Sequence, residues 1–238
     1  MMIVVMWIIS LVPLIGTLVT LRFLPDTIPV HYDFSGNINR WGSKYEALVF
    51  PVLIIVMILV WTIAILRYKK KISNADDEKE SASARTNAKV LGIIGIAMTV
   101  IFTVMHAFLL YGSYKGAVSG ITRQITGVSK IVFILLGLVL IVLGNFMTKT
   151  RNNRFVGFRI KWSKYNDNTW RKTNRFGAFA TIIAGIVTVF SAVLLNSILA
   201  MTIIAISVIV LSVIVTAIYS HKVYVQELES EKTHDITF

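Results

Sequence analysis

Residues 144–177, GNFMTKTRNNRFVGFRIKWSKYNDNTWRKTNRFG, lie between two long apolar runs, and their reading decides what the rest of the chain is. Nine of the protein's 24 Lys and Arg residues fall here, with two of its five Trp and a single acid, Asp167. Tryptophan prefers the headgroup level of a bilayer, and Lys/Arg prefer the cytoplasmic side, where the lipid is anionic. The stretch therefore reads as the cytoplasmic face of a membrane protein.

Outward from it, the chain repeats one theme. The 238 residues are 55% hydrophobic and 15% charged, with a mean hydropathy of +0.73. Runs of about twenty apolar residues are what a hydrocarbon layer of roughly 30 Å asks of a helix. Six such runs occur, at 2–21, 47–66, 90–111, 128–146, 178–195 and 198–219. The expected fold is an all-α polytopic membrane protein with six transmembrane helices. Only Asn196 and Ser197 separate the last two, so these form an antiparallel helical hairpin. The first run has no basic residue before it and no small-residue cleavage site behind it, and reads as a retained span.

This divides the chain into an N-terminal two-helix unit, 1–66, with an outer loop at 24–46, and a polar cytoplasmic linker, 67–89. A four-helix region, 90–219, carries the loop at 144–177, and a cytoplasmic tail follows at 220–238. Between 72 and 89 the chain, ISNADDEKESASARTNAK, is polar and charged of both signs, which suggests a solvated connection that need not fold. Six spans put both termini on one side. The linker, the 144–177 loop and the tail hold 18 Lys/Arg against 6 on the opposite side, so both termini are expected to be cytoplasmic. The same asymmetry accounts for the net charge of +12 without direct nucleic-acid contact.

Catalytic chemistry finds little to stand on. The chain has no cysteine, hence no disulfide and no thiol nucleophile. No HExxH, GxSxG or glycine-rich phosphate loop occurs, and no catalytic residue, metal or cofactor is expected. The spans contain no interior Asp, Glu, Lys or Arg, which argues against a proton-coupled transporter or a charged pore. His106, midway along the third run, reads as a neutral interhelical hydrogen-bonding group. In the outer loop, Asp26, His31, Asp33 and Glu46 lack any metal-ligand spacing. Its aromatic residues, Tyr32, Phe34, Trp41 and Tyr45, surround turn chemistry at Ser35-Gly36-Asn37, and either bind an amphipathic peptide or anchor the flanking spans at the interface. In the 144–177 loop, Phe158, Ile160 and Trp162 alternate with Arg159 and Lys161, the pattern of a short extended segment. Asp167 or Asn168 resembles a helix N-cap. Trp170, Asn174 and Gly177 then share one helix face, an aromatic platform for a partner or for lipid.

Two motifs carry a resemblance to a known family. LPDTIPVHYDFSGNINRWGSK, 24–44, resembles the outer-loop pattern of the domain of unknown function found at the N-terminus of SdpI-like proteins. Residues 144–177 resemble the signature of the SdpI family, with its G-N, N-x-x-x-G-x-R-x-x-W and W-x-x-x-N-R elements. Lys161 stands where that family usually has Pro. The resemblance implies a multi-pass protein of the bacterial plasma membrane that confers immunity to a secreted sporulation-delaying-type toxin peptide. It also implies a receptor that holds a small autorepressor at the membrane. By position, the toxin-facing candidates are Pro29, His31, Tyr32, Gly36, Trp41 and Gly42. The signature or partner candidates are Asn145, Asn153, Gly157, Arg159, Trp162, Trp170, Asn174 and Arg175. The partners implied are membrane lipids, the toxin peptide and the repressor. The alternatives are a transporter or flippase that exports a toxic peptide or lipid, and an intramembrane hydrolase built on His106.

Overall fold

A computed structural model describes residues 1–120, 125–152 and 156–236 of the chain. It contains α1 (Met2–Thr20), a hairpin of β1 (Thr27–Tyr32) and β2 (Ile38–Ser43), a 3-10 turn (Lys44–Leu48), α2 (Val49–Ser73), α3 (Glu78–Ser119), α4 (Thr126–Met147), α5 (Asp167–Leu194) and α6 (Ile198–Ile236). All six α-helices include a stretch long and apolar enough to cross a membrane. They run alternately up and down, so both termini share one end with the 144–177 loop. The β-hairpin and the α5–α6 turn occupy the other end.

Polar composition between 72 and 89 proved a poor guide. Instead of an unfolded linker, α2 continues to Ser73 and α3 starts at Glu78. Asp77 caps α3 by accepting the Lys79 N–H (3.2 Å), and Glu78 and Glu80 lie in the first turn, where the helix dipole favours acids. Ser81, Ala84 and Ala88 are buried at helical spacing, so this segment has an inner face built of small residues. The tail likewise continues α6 instead of leaving it, reaching Ile236.

Helices α1, α2 and α3 pack around Met6, Ile58, Leu91 and Ile94. Two indoles inside this group need partners in a low-dielectric setting. Trp7 Nε1 donates to Thr62 Oγ1 (3.1 Å), and Trp61 Nε1 to the Leu91 carbonyl (2.8 Å), passing over Gly95, which leaves it room. Helices α4 and α5 meet more closely still. A side-chain carbon added at Gly137 would lie 2.6 Å from the Gly185 carbonyl oxygen, and one at Gly144 2.8 Å from that of Ala178. Small residues seven apart on each helix thus bring two backbones together, which drives association where lipid is as apolar as the side chains.

Candidate functional site

The 24–46 loop folds as an antiparallel β-hairpin, with Ile28 opposite Gly42 and Pro29 opposite Trp41. Its turn is held by Asp33, whose carboxylate accepts the backbone N–H groups of Ser35 (2.9 Å) and Asn37 (2.8 Å) and the Asn37 side-chain amide (2.8 Å). Gly36 takes φ +82°, a region that favours glycine, and is covered by Ile198 at the start of α6. Thr202 Oγ1 also reaches the Phe34 carbonyl (3.4 Å), so the hairpin tip rests on α6. At the base, Pro29 is buried against Gly116, and its carbonyl accepts from Ser113 Oγ (3.0 Å). The hairpin therefore forms a roof over the bundle, seated on α3 at one side and α6 at the other.

The candidates of this loop separate accordingly. Pro29 and Gly36 are buried seating points. Tyr32 is half-buried on Ser113, and burial pushes its phenol above the ordinary value, only partly offset by the Ser113 hydrogen bond. Gly42 packs against Val30 and Glu46, and Glu46 pairs with Arg40 at 2.7 Å. His31 is exposed, with Nδ1 2.6 Å from Asn39 Oδ1. Trp41 is 48% exposed, and the large apolar residues Phe23 (73%), Phe34 (70%) and Tyr45 (63%) of this region are exposed as well.

Beneath the roof are two cavities that share His106 as a wall. One, about 250 Å³, lies under the hairpin and is lined by Pro29, Tyr32, Phe50 and Ser113. The other, about 460 Å³, opens between α1 and α3 and is lined by Val12, Gly16, Phe23, Leu110 and Tyr114. His106 Nε2 lies 2.7 Å from Thr17 Oγ1, and the ring stacks on Phe50 at 5.7 Å. The Thr17 hydroxyl proton is directed at the Pro13 carbonyl (2.7 Å), so its oxygen accepts and His106 Nε2 donates. This is the interhelical hydrogen bond expected of a lone histidine in a span. Thr103, one turn before His106 and also lining the larger cavity, has a buried hydroxyl with no partner among the described residues. Neither threonine was singled out in the sequence, although Thr103 lies at i−3 from His106 and so on its face.

At the opposite end, the 144–177 loop folds back on α5 and α6. Where alternation suggested an extended segment, a turn occupies 161–164. Ser163 Oγ lies 2.7 Å from the Phe158 carbonyl and 2.9 Å from that of Ile160, and it accepts the Ile160 N–H (3.1 Å), a local competitor to extended chain. The N-cap of α5 is Asn166, not Asp167 or Asn168, because only there does Thr169 at N3 return the hydrogen bond and complete a capping box.

Trp170, Asn174 and Gly177 do share one face, and that face points inward: Trp170 is 3% exposed and Asn174 1%. Trp170 Nε1 donates to the Thr150 carbonyl (3.0 Å). Asn174 Oδ1 accepts the Phe158 N–H (2.7 Å) while its Nδ2 donates to the Trp170 carbonyl (3.1 Å). Gly157 packs on both side chains with φ +117°, where another residue would be strained. These residues are the fastening of the loop and not a docking platform. Trp162 packs against the His221 ring at 4.6 Å, whereas Asn145, Arg159 and Arg175 are exposed. Asn153 lies outside the described residues.

The last turns of α6, distant in sequence, close over this loop. Glu227 accepts from the side-chain amides of Asn166 (2.9 Å) and Asn168 (2.6 Å), and Tyr165 donates to Glu231 (2.6 Å). The Glu231 hydrogen bond, then desolvation, hold the Tyr165 phenol above its ordinary value of 10.0. A raised tyrosine pKa contributes stability that is complete below the unfolded value and lost as pH rises through the folded one. Docking of the α6 extension should therefore loosen above pH about 10. Fluorescence of Trp162 against pH, with Tyr165→Phe as the variant lacking that step, measures it; identical profiles would deny Tyr165 the role.

Residues 2–55, covering α1, the hairpin and the start of α2, match a family described as a domain of unknown function (DUF1648). Residues 149–220, covering most of the basic loop, α5 and the span of α6, match the SdpI/YfhL protein family. Among curated proteins, the immunity protein SdpI of Bacillus subtilis (strain 168) is 20% identical over 171 residues, 72% of either chain. No solved structure matches. Two family matches in this order on a six-span helical bundle give the chain an SdpI/YfhL-like segment behind an N-terminal DUF1648-like one and mark it as a multi-pass protein of the bacterial plasma membrane.

Proposed function

We propose that this protein gives its cell immunity to a secreted antimicrobial peptide by capturing it at the roofed end of the bundle, which faces outward. The observation that carries the reading is the larger cavity, about 460 Å³, open between α1 and α3 beneath the exposed Phe23 and beside His106 and Thr103. Its volume lies in the range of ligand pockets, and an apolar lining with a few polar groups is what such pockets use. An amphipathic peptide entering the outer leaflet would place one or two large apolar side chains there and its polar face along the hairpin.

The receptor half of the reading rests on α6. One helix touches the hairpin tip through Ile198 and Thr202 and grips the basic loop through His221 and Glu227. A peptide that displaces the hairpin would bias the other end of that helix, where the exposed Arg159, Lys161, Lys164 and Arg171 present a basic surface to a small autorepressor. Both termini are then cytoplasmic, in line with the Lys/Arg asymmetry.

Gly16 lines the cavity and a first side-chain carbon there would meet nothing within 4 Å, so Gly16→Phe can direct its ring into the space. Survival of a sensitive strain challenged with graded sporulation-delaying-type peptide should fall at least about tenfold on this change, the loss of roughly 1.4 kcal/mol of binding. Equal protection by Gly16→Phe at equal membrane levels would remove the cavity from the mechanism. Failure of the unaltered chain to protect would favour export of a different toxic compound.

A further inference from the structure

Two exposed residues of the basic-end signature, Asn145 and Arg175, take no part in fastening the loop. Both line a groove of about 650 Å³ where α4, α5 and α6 meet. Its upper wall holds Lys172 and Arg175 on α5, and Asn145 and Thr148 at the end of α4. Among the described residues, Lys172 and Arg175 make no ion pair or hydrogen bond, and no carboxylate lines the groove. One turn further along α5 the lining becomes apolar, with Phe179 (66% exposed) and then Ile182, continued by the exposed Ile183 and Ile186. From Lys172 to Phe179 is seven residues, about 10 Å along a helix, the depth over which a bilayer passes from headgroup to acyl chain. Tyr219, stacked on Phe176 at 4.2 Å, closes the groove at that same level.

We propose that this groove binds one anionic phospholipid of the leaflet at the basic end. The lipid phosphate lies between Lys172 and Arg175, the Asn145 amide donates to the phosphate or glycerol oxygens, and one acyl chain runs down Phe179 and Ile182. Charge complementarity selects the lipid: two exposed cations set beside a carboxamide and above an apolar floor match a phosphodiester on a hydrocarbon chain. A zwitterionic lipid would bring its own ammonium into a cationic mouth. The groove exists because Gly144 lets α4 lie directly on the α5 backbone, leaving Asn145 beside the second turn of α5.

The test is native mass spectrometry of the full chain in a neutral detergent, titrated with phosphatidylglycerol or phosphatidylcholine. One phosphatidylglycerol should remain bound, at least tenfold tighter than phosphatidylcholine, and Lys172→Gln with Arg175→Gln should abolish that preference. Both side chains are exposed, so the double variant keeps its fold, as an unchanged thermal transition will confirm. Lys69→Gln with Lys70→Gln removes equal charge from the exposed end of α2 and should change nothing. Equal retention of the two lipids, equal loss in the α2 control, or displacement of the lipid by millimolar inorganic phosphate would each overturn the proposal. The first two would mean diffuse attraction, and the last a simple anion site.

Discussion

Gly185→Leu should be the most damaging single change to the bundle, lowering stability by about 3 kcal/mol or more. The contact it disturbs is reciprocal. A first side-chain carbon at Gly185 would lie 2.6 Å from the Gly137 carbonyl oxygen, and one at Gly137 would lie 2.6 Å from the Gly185 carbonyl oxygen. Each obstacle is backbone, which cannot swing aside, so α4 and α5 would have to separate along their whole shared length. In lipid no hydrophobic force compensates, because association there depends on the dispersion contacts that separation removes. Thermal unfolding in detergent should show the loss, with Gly185→Ala intermediate. Gly16→Leu serves as the control, since a first side-chain carbon at Gly16 meets nothing within 4 Å. Near-native stability of Gly185→Leu would show that the two helices do not meet backbone to backbone.

What could be read from the residues depended on whether the signal was local. The six spans were legible because about twenty apolar residues in a row have one meaning in a chain of this composition. His106 was legible for a related reason, since a lone polar group in a span must find a partner, and Thr17 supplies it. The hairpin was half legible. Its turn at Ser35-Gly36-Asn37 was plain, but two six-residue strands beside prolines read as loop until their pairing is seen. The cap of α5 was missed by one residue because Asn166, Asp167 and Asn168 are all good caps, and the choice among them falls to Thr169. The helix at 78–89 was hidden because its inner face is made of Ser and Ala, whose burial leaves no hydrophobic signature. Least legible was the direction of Trp170. In a basic loop beside a span it reads as a headgroup-level anchor, and only the fold of the loop, stapled by Glu227 some sixty residues on, turns it inside.

Asn174→Leu should release that loop while leaving the spans intact. The side chain is 1% exposed and spends both its functions on backbone, accepting from Phe158 and donating to Trp170. Leucine fills a similar volume but satisfies neither group, leaving the Phe158 N–H without its acceptor, at a cost of about 2–3 kcal/mol. The cost is local, because α5 keeps its own hydrogen bonds and its cap at Asn166. Protease cleavage within 156–165 should accelerate at least tenfold, and Trp162 emission should shift to longer wavelength as its packing on His221 loosens. The thermal transition of the bundle should move little. Gly157→Ala attacks the same contact from the other side, through a strained φ and a carbon directed at Asn174, and should give the same pattern. If the basic end only reports on capture, both variants will still protect against the peptide but fail to induce an autorepressor-controlled reporter. Loss of protection in both, with the bundle intact, would instead mean that the fastened loop is part of the protective device itself.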